Sequence, residues 1–108
     1  MIKANELRIG NIVMETIYDF EPKQIVISRE HFSQPEDYYE PIPLTEEWLM
    51  RFGFGRLGKY SFRDKNLIIH HRKRGFVVNK KIAIIQYVHQ LQNLYFAFTQ
   101  TELTLSNP

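Results

Sequence analysis

The histidines have the widest chemical repertoire in this 108-residue sequence, because the chain has no cysteine. The absence of thiols excludes disulfides, thiolate nucleophiles and Cys-ligated zinc or iron–sulfur sites. The four histidines are His31, His70, His71 and His89, and none shows HxH or HExxH spacing. Adjacent residues of a strand point to opposite faces, so His70 and His71 cannot bind one metal ion together. We therefore expect no metal ion or other cofactor, with one of these two histidines packed inward and the other in solvent.

Carboxylates and glycines offer no better catalytic site. Glu46 and Glu47 are adjacent in a predicted helix, so their side chains diverge by about 100°. We therefore expect them to interact favourably with the helix dipole at the N-terminus rather than to form an acid–base pair. Gly53, Gly55 and Gly58 form the pattern GxGxxG, but a helix precedes it and strands follow, the reverse of a dinucleotide-binding site. These glycines predict a helix end and a turn. No nucleophile–base pair can be assembled, and the sequence predicts a protein that is not an enzyme.

Short segments rich in β-branched and aromatic residues predict the elements that position these side chains. Strands are expected at residues 11–17, 24–29, 60–63, 67–71, 76–78 and 82–85, with an edge strand at 102–105. Residues 33–43 contain three prolines and predict an extended loop or edge segment. A short helix should begin after Thr45 and end at Gly53, and a longer one should span residues 87–98.

The short connections between these strands favour antiparallel pairing. The sequence therefore predicts a single α+β domain over residues 1–108. Its fold is a curved antiparallel sheet, a small-barrel-like meander, with one short helix and one C-terminal helix packed over it. The expected shared core consists of Trp48, Leu49, Phe52, Leu91, Leu94, Tyr95 and Phe98.

Charge is unevenly distributed, although the net charge is only +2. Residues 1–50 contain 4 Lys or Arg and 10 Asp or Glu, whereas residues 51–81 contain 10 basic residues and 1 acidic residue. Basic side chains interleaved with aromatics on a small sheet are typical of single-stranded nucleic-acid binders. The candidate nucleic-acid-binding residues are Tyr60, Phe62, Arg63, Lys65, Arg72, Lys73, Arg74, Lys80 and Lys81. Alternatively, the acidic half packs against the basic half, or both are solvated surfaces.

The predicted C-terminal helix lies in a run of twenty residues, 82–101, without Asp, Glu, Lys or Arg. Its polar face carries His89, Gln92, Asn93 and Phe96, and a face without charges but with an aromatic residue is typical of protein interfaces. We expect these four residues to dock an unidentified protein or a second copy of the chain, most commonly as a symmetric homodimer. Alternatively, the helix is buried on both sides within the monomer.

Three stretches resemble a family of small proteins of unknown activity from Bacteroidetes and from their phages and mobile elements. They read KANELRIGN at residues 3–11, IPLTEEWL and then FGF at 42–54, and YVHQLQNLYF at 87–96. The resemblance implies an accessory role of phage or mobile-element type in a bacterial cell, and it brings no catalytic residues. The family's usual Leu-Thr-Gly after the helix reads Phe98-Thr99-Gln100 here, which changes the expected helix end.

The longest apolar runs are far shorter than the roughly 20 residues that a membrane-spanning helix needs, and the N-terminus lacks the apolar region of a signal peptide. We therefore expect a soluble cytoplasmic protein with no membrane association. Its expected function is that of a non-catalytic protein-interaction module. The alternative is a small nucleic-acid-binding α+β domain that uses the basic hairpins of residues 51–81.

Overall fold

A computed structural model of the chain describes residues 2–17, 21–65, 67–78 and 83–105. The N-terminal part forms a three-stranded antiparallel sheet in the order β2-β1-β3, where β1 is Ile12–Glu15, β2 is Lys23–Val26 and β3 is Tyr39–Glu40. Short 3₁₀ helices lie at Ala4–Glu6, Arg29–Ser33 and Glu36–Tyr38. The proline-containing stretch thus supplies an edge strand, as predicted.

The second half of the chain forms a five-stranded antiparallel meander in the order β4-β5-β6-β7-β8. Its strands are β4 at Gly55–Arg56, β5 at Ser61–Arg63, β6 at Ile68–Arg72, β7 at Gly75–Val78 and β8 at Ala83–Ile85. Residues opposite each other in the register share a face, so one face, here called the inner face, carries the buried Phe62, Ile69, Phe76, Val78 and Ile85.

Helix α1, Glu46–Arg51, is defined at both ends by the signals found in the sequence. The Thr45 hydroxyl accepts a hydrogen bond from the Trp48 backbone N–H at 3.3 Å, which caps the helix start. Gly53 has a φ of 91°, in the left-handed region. The N–H of the next residue, Phe54, donates a hydrogen bond of 3.0 Å to the Leu49 carbonyl in the helix. This arrangement closes the helix and turns the buried Phe54 back onto it.

Helix α2, Val88–Thr99, joins the two halves of the core. One large cluster of buried residues contains the inner face of the five-stranded sheet together with Trp48, Leu49, Leu91 and Tyr95. Strand β1 contributes to two clusters, because Ile12 belongs to this one and Val13 belongs to a second cluster with Ile2, Ile27 and Tyr39. Adjacent residues of β1 are therefore buried on opposite faces.

The α+β class and the two helices are confirmed, but three expectations are corrected. The strands form two sheets rather than one, and neither closes into a barrel among the described residues. Residues 102–105 are not a strand, although Leu103 is buried in the large cluster. Phe98 is 45% exposed rather than part of the core, because it lies in the last turn of α2.

Candidate nucleic-acid interface

The meander divides the basic residues of the five-stranded sheet between its two ends. Successive turns of an antiparallel meander lie at opposite ends of the sheet, because each strand reverses direction. The β4–β5 and β6–β7 connections therefore lie at one end, with Lys59, Lys73 and Arg74, and the β5–β6 connection lies at the other, with Lys65. We call the first the hairpin end. The sequence pattern predicted a single basic surface for all of these cations.

Among the described residues, the hairpin end carries a run of three consecutive exposed cations. Lys73 and Arg74 form the two-residue turn between β6 and β7, and Arg72 immediately precedes them; all three side chains are exposed. Gly75 makes this turn possible, because its φ is 140° and a Cβ there would lie 2.7 Å from the Ile85 carbonyl oxygen. The turn therefore presents three consecutive cationic side chains at one end of the sheet.

A concave surface of about 480 Å³ lies at the hairpin end and is lined by Tyr60, His71, Arg72 and Lys73. Tyr60 is 52% exposed, so its ring is accessible for stacking. The Lys59 ammonium lies 5.4 Å from the centre of that ring. An exposed aromatic ring beside several cations is the combination that binds a base and its adjacent phosphates.

Glu46 connects α1 to this end of the sheet. Its Oε2 accepts a hydrogen bond of 2.8 Å from His71 Nδ1, and its Oε1 accepts one of 3.1 Å from the Arg56 guanidinium. The hydrogen bond from His71 lowers the pKa of the Glu46 carboxyl most, and the hydrogen bond from Arg56 lowers it further. The His71 ring in turn stacks on Phe76, with the ring centres 4.2 Å apart.

The arrangement fixes the orientation of the His71 ring. Because the ionised carboxylate only accepts hydrogen bonds, the Nδ1 that contacts Glu46 carries a proton. The side chain of His71 is 40% exposed, and its ring borders the concave surface. Sequence analysis missed this group, because the two residues are 25 positions apart and only the packing of α1 on the sheet joins them.

Phe62 is not available to a ligand. Its side chain is fully buried in the large cluster, and the Arg56 guanidinium lies 4.7 Å from its ring centre. The prediction that Phe62 stacks on a base is wrong, because the alternation of β5 turns this ring to the inner face. Arg63 and Lys65 are exposed at the opposite end of the sheet. Lys80 and Lys81 lie outside the described residues.

The predicted protein interface on α2 is not a free surface. His89 and Gln92 are each 2% exposed, because the N-terminal segment covers this side of the helix. Gln92 Oε1 accepts a 2.8 Å hydrogen bond from the Ile12 N–H, and its Nε2 donates to the Gly10 carbonyl at 3.0 Å. The absence of charge in this helix therefore reflects burial within the monomer, and the expectation that these two residues dock a partner is wrong.

Asn93 and Phe96 are half-buried and contact the same N-terminal segment. Asn93 Oδ1 accepts hydrogen bonds from the Arg8 Nε at 3.0 Å and the Asn11 Nδ2 at 2.9 Å, and its Nδ2 donates to the Glu6 carbonyl. The Arg8 guanidinium lies 4.5 Å from the centre of the Phe96 ring. These two residues stabilise an intramolecular contact rather than a free docking face.

His89 differs from the other polar residues of this contact, whose side chains form hydrogen bonds. Both ring nitrogens are buried without a hydrogen-bond partner, since Glu6 Oε1 is 3.7 Å from Nε2, beyond hydrogen-bond length. Burial lowers the pKa of His89, and the Glu6 carboxylate partly offsets that shift. The ring is therefore held in the neutral form.

The two adjacent histidines lie on opposite faces of β6, as predicted, but both are partly exposed, so neither is packed fully inward or lies fully in solvent. His70 is opposite Ser61 and Val77, whereas His71 is opposite Phe76. The Ser61 hydroxyl is hydrogen-bonded to His70 Nδ1 at 2.7 Å. Within the described part of the chain, no three His, Asp or Glu side chains are grouped as metal ligands.

Comparison with family models, with curated proteins and with solved structures gives no match. Among the described residues, no helix has the length and apolar character needed to cross a membrane.

Proposed function

We propose that this protein binds nucleic acid through the hairpin end of the five-stranded sheet. The observation that carries the proposal is the concave surface lined by Tyr60, His71, Arg72 and Lys73, which combines an exposed ring with cationic side chains. Phosphate contacts from Arg and Lys supply most of the affinity in such interfaces, and aromatic stacking adds affinity for unpaired bases. A non-catalytic binding role fits this arrangement, in which His71 is a hydrogen-bonding side chain.

The alternative function, protein interaction through α2, requires an exposed surface on that helix, and half of the proposed surface is buried. His89 and Gln92 are buried against the N-terminal segment, so a partner could reach them only if that segment moved away. An accessory role of phage or mobile-element type stays a prediction, and nucleic-acid binding is compatible with it.

Fluorescence anisotropy of labelled single-stranded and duplex oligonucleotides tests the proposal. The variant Arg72→Gln/Lys73→Gln/Arg74→Gln removes three exposed cations from the hairpin end, and Lys3→Gln/Lys23→Gln/Arg29→Gln removes three exposed cations from the other half of the chain. Because both variants lose the same net charge, a general charge effect weakens them equally. We expect loss of binding, by about tenfold or more, in the first variant alone. Equal weakening of both variants, or no binding by the wild type at low salt, would overturn the proposal.

A further inference from the structure

The outer face of the five-stranded sheet, opposite the face that packs on the helices, has an unusual composition. Register places one row across its centre, and the row consists of Ser61, His70, Val77 and Ile84. The row carries no carboxylate and no ammonium or guanidinium group. Ile84 is 52% exposed, and Ile68, on the same face, is exposed as well. The centre of this face is therefore neutral and partly apolar.

Cations lie on the outer face on both sides of the central row. Arg72 is opposite Gly75 at the hairpin end, and Arg63 is opposite Ile68 at the other end. Both side chains are exposed, and Lys65, in the connection that follows β5, adds a third exposed cation at the same end of the sheet as Arg63. The described residues of β5 to β8 include no acidic residue. Asp64 lies between Arg63 and Lys65 in the β5–β6 connection, where its Oδ1 accepts a hydrogen bond of 2.8 Å from the Leu67 N–H. At about 3.3 Å per residue, β6 separates its two ends by about 13 Å.

We infer that the outer face binds a single strand of nucleic acid that crosses it from the hairpin end to Arg63 and Lys65. This inference rests on the proposed function and specifies the class of nucleic acid and its path. Phosphates meet cations at each end of the sheet, and the intervening sugars and bases lie over the central row. Arg72 belongs both to the concave surface and to the outer face, so the two sites are continuous.

The charges on the face argue for this occupant against two others. In a symmetric dimer the same face would pack on itself and bring Arg63 and Arg72 near cations of the second copy at both ends, and like charges brought together are unfavourable. A duplex keeps its base faces stacked inside and offers only phosphates and the base edges in its grooves, so no base face can lie on Ile84 and Val77. Only an unpaired strand offers both phosphates and accessible base faces.

A length series distinguishes this path from binding at the hairpin end alone. Labelled oligothymidylates of two to eight nucleotides bracket the lower limit of about four nucleotides seen for small sheet-based binding sites. The variant Arg63→Gln/Lys65→Gln should weaken binding of the longest oligomer and leave the shortest unchanged, because only the longest reaches these residues. Lys3→Gln/Lys23→Gln is the control with the same loss of charge.

A second pair of variants tests contact with the central row. Ile84→Glu adds a charge at a 52% exposed position of this face, and Val26→Glu adds the same charge at a 58% exposed position of β2, in the other sheet. We expect about a tenfold loss of affinity for the eight-nucleotide strand in the first variant only, because the new carboxylate would lie under the strand and repel its phosphates.

The outcomes separate the two proposals. If Arg72→Gln/Lys73→Gln/Arg74→Gln abolishes binding but Arg63→Gln/Lys65→Gln and Ile84→Glu have no effect at any length, the path is wrong and the proposed function stands. Tighter binding of a duplex than of a single strand of equal length would also overturn the path. If no oligonucleotide binds at low salt, both proposals fail.

Discussion

Glu46 Oε2 lies 2.8 Å from His71 Nδ1, although the two residues are 25 positions apart in the chain. Glu46 is the first residue of helix α1, and His71 is in β6. The contact therefore holds the start of the helix against the end of the sheet. The contact also places a carboxylate from the acidic half of the sequence beside the basic block. The hairpin end thus combines a fixed imidazole with cations whose side chains are exposed.

Glu46→Gln should reduce stability at neutral pH, and the difference from the wild type should shrink in acid. The folded-state pKa of Glu46 is lowered, so its contribution is present above the usual value of 4.5 and is lost as the pH falls through the folded-state value. Denaturant unfolding between pH 3 and 7 measures the effect. Glu47→Gln, at an exposed position of the same helical turn, is the control and should show no such convergence.

His89 should make the protein less stable in mild acid. Its folded-state pKa is lowered, so its neutral form is fully favoured above the usual value of 6.5, and stability falls as the unfolded chain takes up a proton below that pH. In His89→Leu, the decrease in melting temperature between pH 7.5 and 5.5 should be smaller than in the wild type.

A second variant checks the sign of the His89 effect. Glu6→Gln removes the carboxylate that partly offsets the shift, so the decrease in stability in acid should become larger. A wild-type melting temperature that rises on acidification over this range, or an unchanged profile in His89→Leu, would contradict the account.

Gln92→Leu should destabilise the fold by about 1–3 kcal/mol, the usual cost of leaving buried polar groups unsatisfied. The substitution removes the acceptor for the Ile12 N–H and the donor to the Gly10 carbonyl. Gln24→Leu makes the same change at an exposed position of β2 and should have little effect. Urea unfolding of both variants measures the difference, and equal effects would show that the buried network is unimportant.

Gly75→Ala should destabilise the β6–β7 hairpin by about 1–3 kcal/mol, as expected for a strained backbone position. The φ of 140° disfavours a side chain, and the new Cβ would lie 2.7 Å from the Ile85 carbonyl oxygen. Gly58→Ala is the matched control, because a Cβ there meets nothing within 4 Å. Thermal unfolding should separate the two variants, and similar melting temperatures would contradict the geometry of the turn.

Local signals in the sequence predicted the local structure well. Thr45 and Gly53 mark the two ends of α1 because capping depends on nearby backbone groups. Four of the five strands of the meander, β5 to β8, were expected for a similar reason, since two- to four-residue connections favour antiparallel neighbours. Strand β4, Gly55–Arg56, was not expected, because its glycine indicated a turn.

Long-range packing was not predictable from the same signals. The uncharged face of α2 has the composition of an interface in the sequence, but the partner is the chain's own segment around Asn11 and Ile12, 80 to 82 positions away. Nothing in local periodicity distinguishes an internal partner from an external one. The Glu46–His71 contact was missed for the same reason, and Phe62 was misplaced because a strand's pattern does not say which face is covered.

The dependence of nucleic-acid affinity on salt tests the central claim most directly. Binding through phosphates predicts that the logarithm of the association constant falls linearly with the logarithm of salt concentration, with a slope of about −0.7 per phosphate contacted on a single strand. The slope should become less steep by about two in Arg72→Gln/Lys73→Gln/Arg74→Gln, as two to three phosphate contacts are lost. A wild-type slope near zero, or the same slope in the variant, would contradict the assignment of the hairpin end as a nucleic-acid interface.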